Sequence, residues 1–328
     1  MSTAKRVWLG DPLTVSNSEI QAWKACRRKW FLVYYKELGL RRMDSEFIGA
    51  RSLGTRIHLT LDALYTSDIN PITFLNSLYD EDEILLKQYD RADEIIALRK
   101  EQDLGRAMIE GFLIWREEEA IDHGMTLVGA EQVLEVPTAI PGINIRGKLD
   151  QRWYRESDGA RLFRDWKTVA DLKTPAALLP MDEQMKFYHL LEYLDSMDKT
   201  GSEPQWRTDG HMYTMLRKVK RTATAKPPFY EQIENGHNMH ELRSMWKRVH
   251  KVLEEIMDIR IALLAGGDHQ YLAPPRPSRD CTWSCDFYTV CSMMDDGSNW
   301  EGLLAEYYTH VDPHARYDAQ DNGKEVTE

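Results

Sequence analysis

The chain has 328 residues, 42% of them hydrophobic and 29% charged, with a formal net charge of -11. That describes a soluble globular chain with room for one extended domain or two modest ones, and no apolar run reaches the ~20 residues that cross a bilayer. The acidic balance speaks against phosphate binding, yet KACRRKW from Lys24, LRRM from Leu40 and RKVKRTATAKPP from Arg217 are basic, so charge does not exclude a nucleic acid.

Residues 1–15 read as irregular. SNSE, from Ser16 to Glu19, has the spacing of a capping box and predicts a helix start. Ile20, Trp23, Cys26, Trp30 and Tyr34 then recur at intervals of three and four, a buried helical stripe. A second helix is expected to carry Leu53, Ile57, Leu61 and Leu64 on one face, with His58 at its edge, and residues 80–122 read as long amphipathic helices. The period then changes. AEQVLEVP, INIRGKLDQRWY and RLFRDWKTV are predicted strands, with a turn at ESDGA. A helix over MDEQMKFYHLLEYLDSM, a strand over GHMYTMLRKVK and a long helix ending near Gly266 follow. The chain thus divides into a helical region (1–125), an α/β core (126–235), a C-terminal helix with a cysteine segment (236–310), and a polar tail (311–328) expected to be disordered.

The strands carry the chemistry. GKLD ends at Asp150, and DWK places Asp165 and Lys167 two apart, hence on one face of a strand. A hairpin through Ser157–Gly159 brings Asp150 beside Asp165. Two carboxylates suit Mg²⁺ or Mn²⁺, and a neighbouring lysine can orient water or stabilise developing charge. D-x-K alone occurs by chance in many proteins. Its neighbours add weight: His58 is a helical imidazole that can ligate a metal, and Gln184 and Tyr188 share one face of the following helix at i, i+4.

In this order, His58, GKLD, DWK and QMKFY resemble the RecB-like branch of the PD-(D/E)XK nucleases, over roughly residues 16–295. The resemblance implies a restriction-endonuclease-like α/β core: a mixed central sheet flanked by helices, with a helical N-terminal extension and a C-terminal cysteine segment. It also implies divalent-metal-dependent DNA cleavage. By that resemblance His58, Asp150 and Asp165 ligate the metal, Lys167 handles the attacking water, and Gln184 and Tyr188 support the site or touch DNA. Glu131 and Glu135 are further acids that could reach the sheet edge.

Cys26 and the segment DCTWSCDFYTVC contain all four cysteines. No hydrophobic leader is visible in MSTAKRVWLGDP, so a reducing cytoplasm is expected, where clustered thiols point to metal rather than disulfides. The CRISPR-associated RecB-like exonucleases and some helicase–nuclease domains take one iron–sulfur ligand from an N-terminal helix and three from a C-terminal segment. Cys26, Cys281, Cys285 and Cys291 follow that plan and imply a [4Fe–4S] cluster, with Zn²⁺ the competing occupant. Here the first tail gap is three residues, not the family's two. Trp283, Phe287 and Tyr288 are read as packing around the cluster, with base stacking the other use.

The expected function is a metal-dependent DNA exonuclease of phage or prokaryotic recombination, replication or repair, acting on single-stranded DNA or free ends. A nicking or structure-specific endonuclease on the same core, and a non-catalytic DNA-binding scaffold, are the alternatives. Arg41, Arg42, Arg51 and Arg56 are candidate strand guides. The chain has no Walker A motif, so a motor would come from a helicase or recombination partner.

Overall fold

A computed structural model of the protein describes residues 12–200 and 208–318. In chain order its main elements are β1 (Leu13–Ser16), α1 (Asn17–Ala25), α2 (Arg27–Trp30), β2 (Leu38–Leu40), α3 (Ala50–Thr66), α4 (Pro71–Gln88), α5 (Ile95–Glu118), β3 (Met125–Pro137), β4 (Ile143–Arg155), β5 (Arg161–Val169), α6 (Glu183–Thr200), β6 (Gly210–Arg217), β7 (Tyr230–Asn235), α7 (Met239–Leu264), α8 (Tyr288–Asp296), β8 (Tyr308–His310) and α9 (Ala315–Asp318). The fold is mixed α/β, with a central mixed sheet flanked by helices, as the sequence predicts. No described helix is long and apolar enough to cross a membrane.

The chain forms two compact units that interleave in sequence: residues 45–132 with 148–238, and residues 1–44 with 133–147 and 239–328. His58 and Cys26, grouped by sequence in one helical region, therefore fall in different units.

In the first unit, β4 pairs antiparallel with β5, β5 parallel with β6, and β6 antiparallel with β7. A parallel pair needs a long crossover, and α6 supplies it. Five consecutive residues of β5 and seven of β6 are buried, the mark of strands covered on both faces. One cover is α3, α4 and α5, whose Leu53, Ile57, Leu75, Tyr79, Met108 and Phe112 pack with Trp166 and Leu216. Gly54 lets α3 approach β5, since a Cβ there would stand 3.1 Å from Thr168 Oγ1. Arg56 corrects the sequence reading. It is 5% exposed, donates to Glu101 (2.7 Å) and the Phe47 carbonyl (2.6 Å), and pairs with Asp82, so it ties helices together and cannot guide a strand.

In the second unit, β1 runs parallel to the first half of β4, from Leu13 opposite Ile143 to Ser16 opposite Arg146. Residues 13–15, irregular by sequence, are thus strand, ordered by pairing with a distant segment. Ser16 caps α1 by accepting from the Glu19 N–H at 3.2 Å. The Glu19 carboxylate turns inward instead of completing the box. It accepts from Trp30 Nε1 and from Arg260 on α7, both at 2.9 Å, and Glu19 and Arg260 are both buried. The expected continuous stripe breaks at Cys26, whose backbone is extended between α1 and α2. β2 and β8 form a small antiparallel sheet. Of the tail expected to be disordered, residues 311–318 are placed, with α9 holding a buried Tyr317; residues 319–328 lie outside the described ones.

Candidate active site

β4 alternates between buried and half-buried residues, so Leu149, Gln151 and Trp153 share one face and Asp150 takes the other. Its pairing with β5 runs to Gln151 opposite Arg164, which makes Asp150 and Asp165 the next residue on each strand. Asp150 Oδ2 accepts from the Trp166 N–H at 2.9 Å, and His58 Nδ1, from α3, stands 3.7 Å from the same oxygen. Lys167 Nζ lies 2.6 Å from Asp165 Oδ2 and donates to Gln184 Oε1 at 3.1 Å. Gln184 Nε2 in turn donates to the Tyr188 hydroxyl at 2.9 Å, which fixes the amide's orientation. His58, Asp150, Asp165, Lys167, Gln184 and Tyr188 thus form one connected set on α3, β4, β5 and α6.

Burial raises the Asp150 carboxyl to about 6, against the pull of Lys167 and the Trp166 N–H. Burial also raises Asp165 to about 6, and the neighbouring Asp150 adds to the rise while Lys167 opposes it. Burial pulls the Lys167 ammonium down, but Asp165 and Asp150 outweigh it, so its pKa lies above the ordinary lysine value. Burial, then the Lys167 cation, lower the His58 imidazole, leaving it neutral at pH 7. His58 and Lys167 keep 34% and 25% of their side-chain surface, so they line an accessible recess rather than a sealed core. Tyr188 is 7% exposed and its hydroxyl accepts from Gln184, which places it behind Gln184 with little surface for DNA.

Two further acids join this field. Glu131 pairs with Lys148 and takes a φ of 52°, a left-handed conformation that costs L-residues ~1–2 kcal/mol. Asp62, one turn beyond His58 on α3, is raised to about 6 by burial and then by Glu131. Sequence reasoning missed Asp62, although its i, i+4 spacing from His58 was visible. Glu135 belongs elsewhere: in the other unit it accepts from Arg146 (2.7 Å), Asn144 (2.9 Å) and Thr14 (3.0 Å).

That other unit holds the cysteines. All four are free thiols. Burial raises Cys285, and the charges of Cys26 and Cys281 add to it; burial likewise raises Cys291, with Cys26 and Cys285 adding. The thiols are therefore close enough to feel one another. The Arg276 N–H points at Cys26 Sγ (3.4 Å) and the Ser278 N–H at Cys281 Sγ (3.3 Å). Arg28, held by two 2.7 Å bonds to Asp295, donates to the Cys291 carbonyl at 2.9 Å. Of the aromatics read as packing here, only Phe287 is buried, stacked on Tyr308; Trp283 and Tyr288 are 70% and 53% exposed.

A family model described as the PD-(D/E)XK nuclease superfamily matches residues 14–292. Among solved structures, a protein of Eubacterium rectale described as a candidate exonuclease is similar at 11% identity and a TM-score of 0.45, over 78% of this chain and 82% of that one. The protein SSO0001 is similar at 14% identity and a TM-score of 0.30, over 73% and 84%. Neither score is high enough to establish a shared fold, so the assignment rests on the family match. A comparison with curated proteins found no match.

Proposed function

The chain belongs to the PD-(D/E)XK nuclease superfamily, which implies metal-dependent nuclease chemistry, and from that premise we propose that it is a DNA exonuclease of the RecB-like branch. The observation that carries the reading is the meeting of the buried Asp165 and half-buried Asp150 carboxyls, each raised to about 6, with the Lys167 ammonium and a neutral His58. That donor set fits Mg²⁺ or Mn²⁺, because a divalent cation offsets the repulsion and desolvation that raise both acids. His58, Asp150 and Asp165 would hold it. When bound, the ion supplies Lewis acidity toward a phosphoryl oxygen and toward water. Lys167 stays charged at neutral pH, so it orients the attacking water and stabilises negative charge on the phosphate rather than accepting a proton. Gln184 fixes the ammonium, and Tyr188 fixes Gln184; both are positioning residues. Glu131 and Asp62 deepen the negative potential that draws the cation.

Cys26, Cys281, Cys285 and Cys291 would hold a [4Fe–4S] cluster. Four free, mutually coupled thiols fit it, and the N–H donors at Cys26 and Cys281 are of the kind that tune such sulfurs. The same thiols fit Zn²⁺. Iron and sulfide analysis of anaerobically purified protein separates the two, and Cys26→Ala should bleach the visible absorption and lower the melting temperature. Such a centre suits a reducing cytoplasm. Digestion from ends needs single strands or broken ends, which a helicase or recombination partner would supply.

The test uses end-labelled linear and circular single-stranded DNA with Mg²⁺, Mn²⁺ or EDTA, beside Lys167→Ala. Metal-dependent loss of the linear DNA alone, reduced by at least ~10²-fold in the variant, is expected. Cleavage of the circle would make the enzyme an endonuclease. No cleavage under any metal, with the cysteine centre intact, would point to a DNA-binding scaffold or to a missing partner.

A further inference from the structure

Three histidines meet in the first unit, outside the carboxylate site. His189 lies on α6, His211 on β6, and His237 two residues after β7. One ring nitrogen from each lies within 4.8 Å of the other two. His189 Nε2 is 3.0 Å from His211 Nδ1, so a single proton is shared between them. The His211 and His237 rings stack and His189 meets both edge-on, with centroids 5.0 to 5.4 Å apart, and Phe163 packs against His189 and His211. His189 and His211 are buried, while His237 is half-buried. His211 Nε2 is buried without a hydrogen-bond partner.

Burying polar rings is costly unless each finds a partner. Burial and mutual repulsion keep His189 and His211 neutral: burial, then His237, lowers His211 to about 3, and burial, then His211 and His237, puts His189 well below its ordinary value. Neutral imidazole is the form that ligates metal. We propose that His189, His211 and His237 bind one borderline transition-metal ion, with Zn²⁺ the leading case. The cluster contains no carboxylate, so its donors select against Mg²⁺ and Mn²⁺, unlike the Asp150–Asp165 site. Three imidazoles leave the fourth tetrahedral position open, and His237 is the side from which an ion enters. Binding displaces the proton shared by His189 and His211 and ties α6 to β6 and to the segment beyond β7. Because α6 carries Gln184 and Tyr188 and β6 pairs with the strand of Asp165 and Lys167, the ion would brace the reaction site without touching it.

Co²⁺, a spectroscopic stand-in for Zn²⁺, tests this by titration into the full chain with its cysteine centre loaded. With excess Mg²⁺ present to fill the Asp150–Asp165 site, one equivalent should bind and give visible ligand-field absorption without sulfur-to-metal bands. His237→Gln, at the half-buried ligand, should weaken that binding by more than the roughly 10–100-fold that loss of an outer partner costs, with its metal-free melting unchanged. The double variant Asp150→Asn/Asp165→Asn should keep the signal. X-ray absorption at the cobalt edge of the same Mg²⁺-saturated wild-type chain gives a readout independent of any variant, and should show imidazole nitrogens near the ~2.0–2.1 Å of zinc sites. A sulfur or all-oxygen shell, no bound equivalent, or a His237→Gln protein that binds as the wild type does would overturn the proposal.

Discussion

Two buried carboxylate centres, one in each unit, show how the same desolvation leads to opposite electrostatic outcomes. Glu19 is fully buried, and burial alone would raise its pKa; Arg260, then His314, reverse this, so the carboxyl lies below its ordinary value. Asp165 is buried as well, and Asp150 is half-buried beside it. They share one ammonium between two acids and stay raised to about 6. Glu19 has a matched cation and a Trp30 N–H, so its charge is complete without any further species. The Asp150–Asp165 pair is one positive charge short. An acid completed by its own protein is a structural joint, whereas a deficit of this kind can be filled by a cation from solution.

Removing the deficit should have the largest effect. Asp165→Asn is expected to lower metal-dependent cleavage by roughly 10³-fold or more, read as kcat on linear DNA, while its melting temperature in EDTA stays equal or rises. A fall in stability matching that of a Glu19 variant would erase the distinction between the two centres. Glu19→Gln should come next. It leaves the Arg260 guanidinium buried and uncompensated, at a cost of about 3–5 kcal/mol in urea unfolding, with the specific activity of the folded fraction kept.

The pH dependence of stability sharpens the contrast, because the signs oppose. The two aspartates are raised from an ordinary 3.8 to about 6. Their contribution is therefore complete below 3.8 and is lost as pH climbs toward 6. Glu19 is lowered, so its contribution is present above 4.5 and fades as the solution becomes more acid. In EDTA, Asp150→Asn/Asp165→Asn should remove the loss between pH 4 and 6, a change on the order of 1–3 kcal/mol, and Glu19→Gln should leave it. With Mg²⁺, cleavage should rise through pH 6 to a plateau, since protons compete with the ion. The smallest effect belongs to Trp283→Ala, within ~0.5 kcal/mol of wild type in urea unfolding; a larger loss would show that its exposed ring supports the cysteine unit.

The proximity of the candidate residues was legible because it depends on short-range rules. Alternation put Asp165 and Lys167 on one side of a strand, a turn signal returned Asp150 beside them, and helix spacing joined Gln184 to Tyr188. Misread features depend on distant partners. Arg56 looked like a surface cation because nothing near it in sequence reveals Glu101 and Asp82 on other helices. Asp62 gains its meaning only when Glu131 arrives on β3. β1 is four residues long and β7 reads YEQIEN, too short and too polar for a period to emerge. The break at Cys26 was hidden because helical spacing continues on both sides of it.

The Glu19–Arg260 pair spans 241 residues, which has a consequence for biosynthesis. A ribosome adding ~5–20 residues per second needs roughly 10–50 s to pass from one partner to the other. Throughout that interval the nascent segment holds an acid made to be buried but not yet matched, and Cys26 waits still longer for Cys281, Cys285 and Cys291. Residues 45–132 and 148–238 are all synthesised before α7 emerges, so the first unit can mature first. A chain interrupted before Arg260 would carry the complete candidate site and an unclosed second unit, in which Trp23, Trp30 and Phe31, buried in the full chain, lose part of their cover.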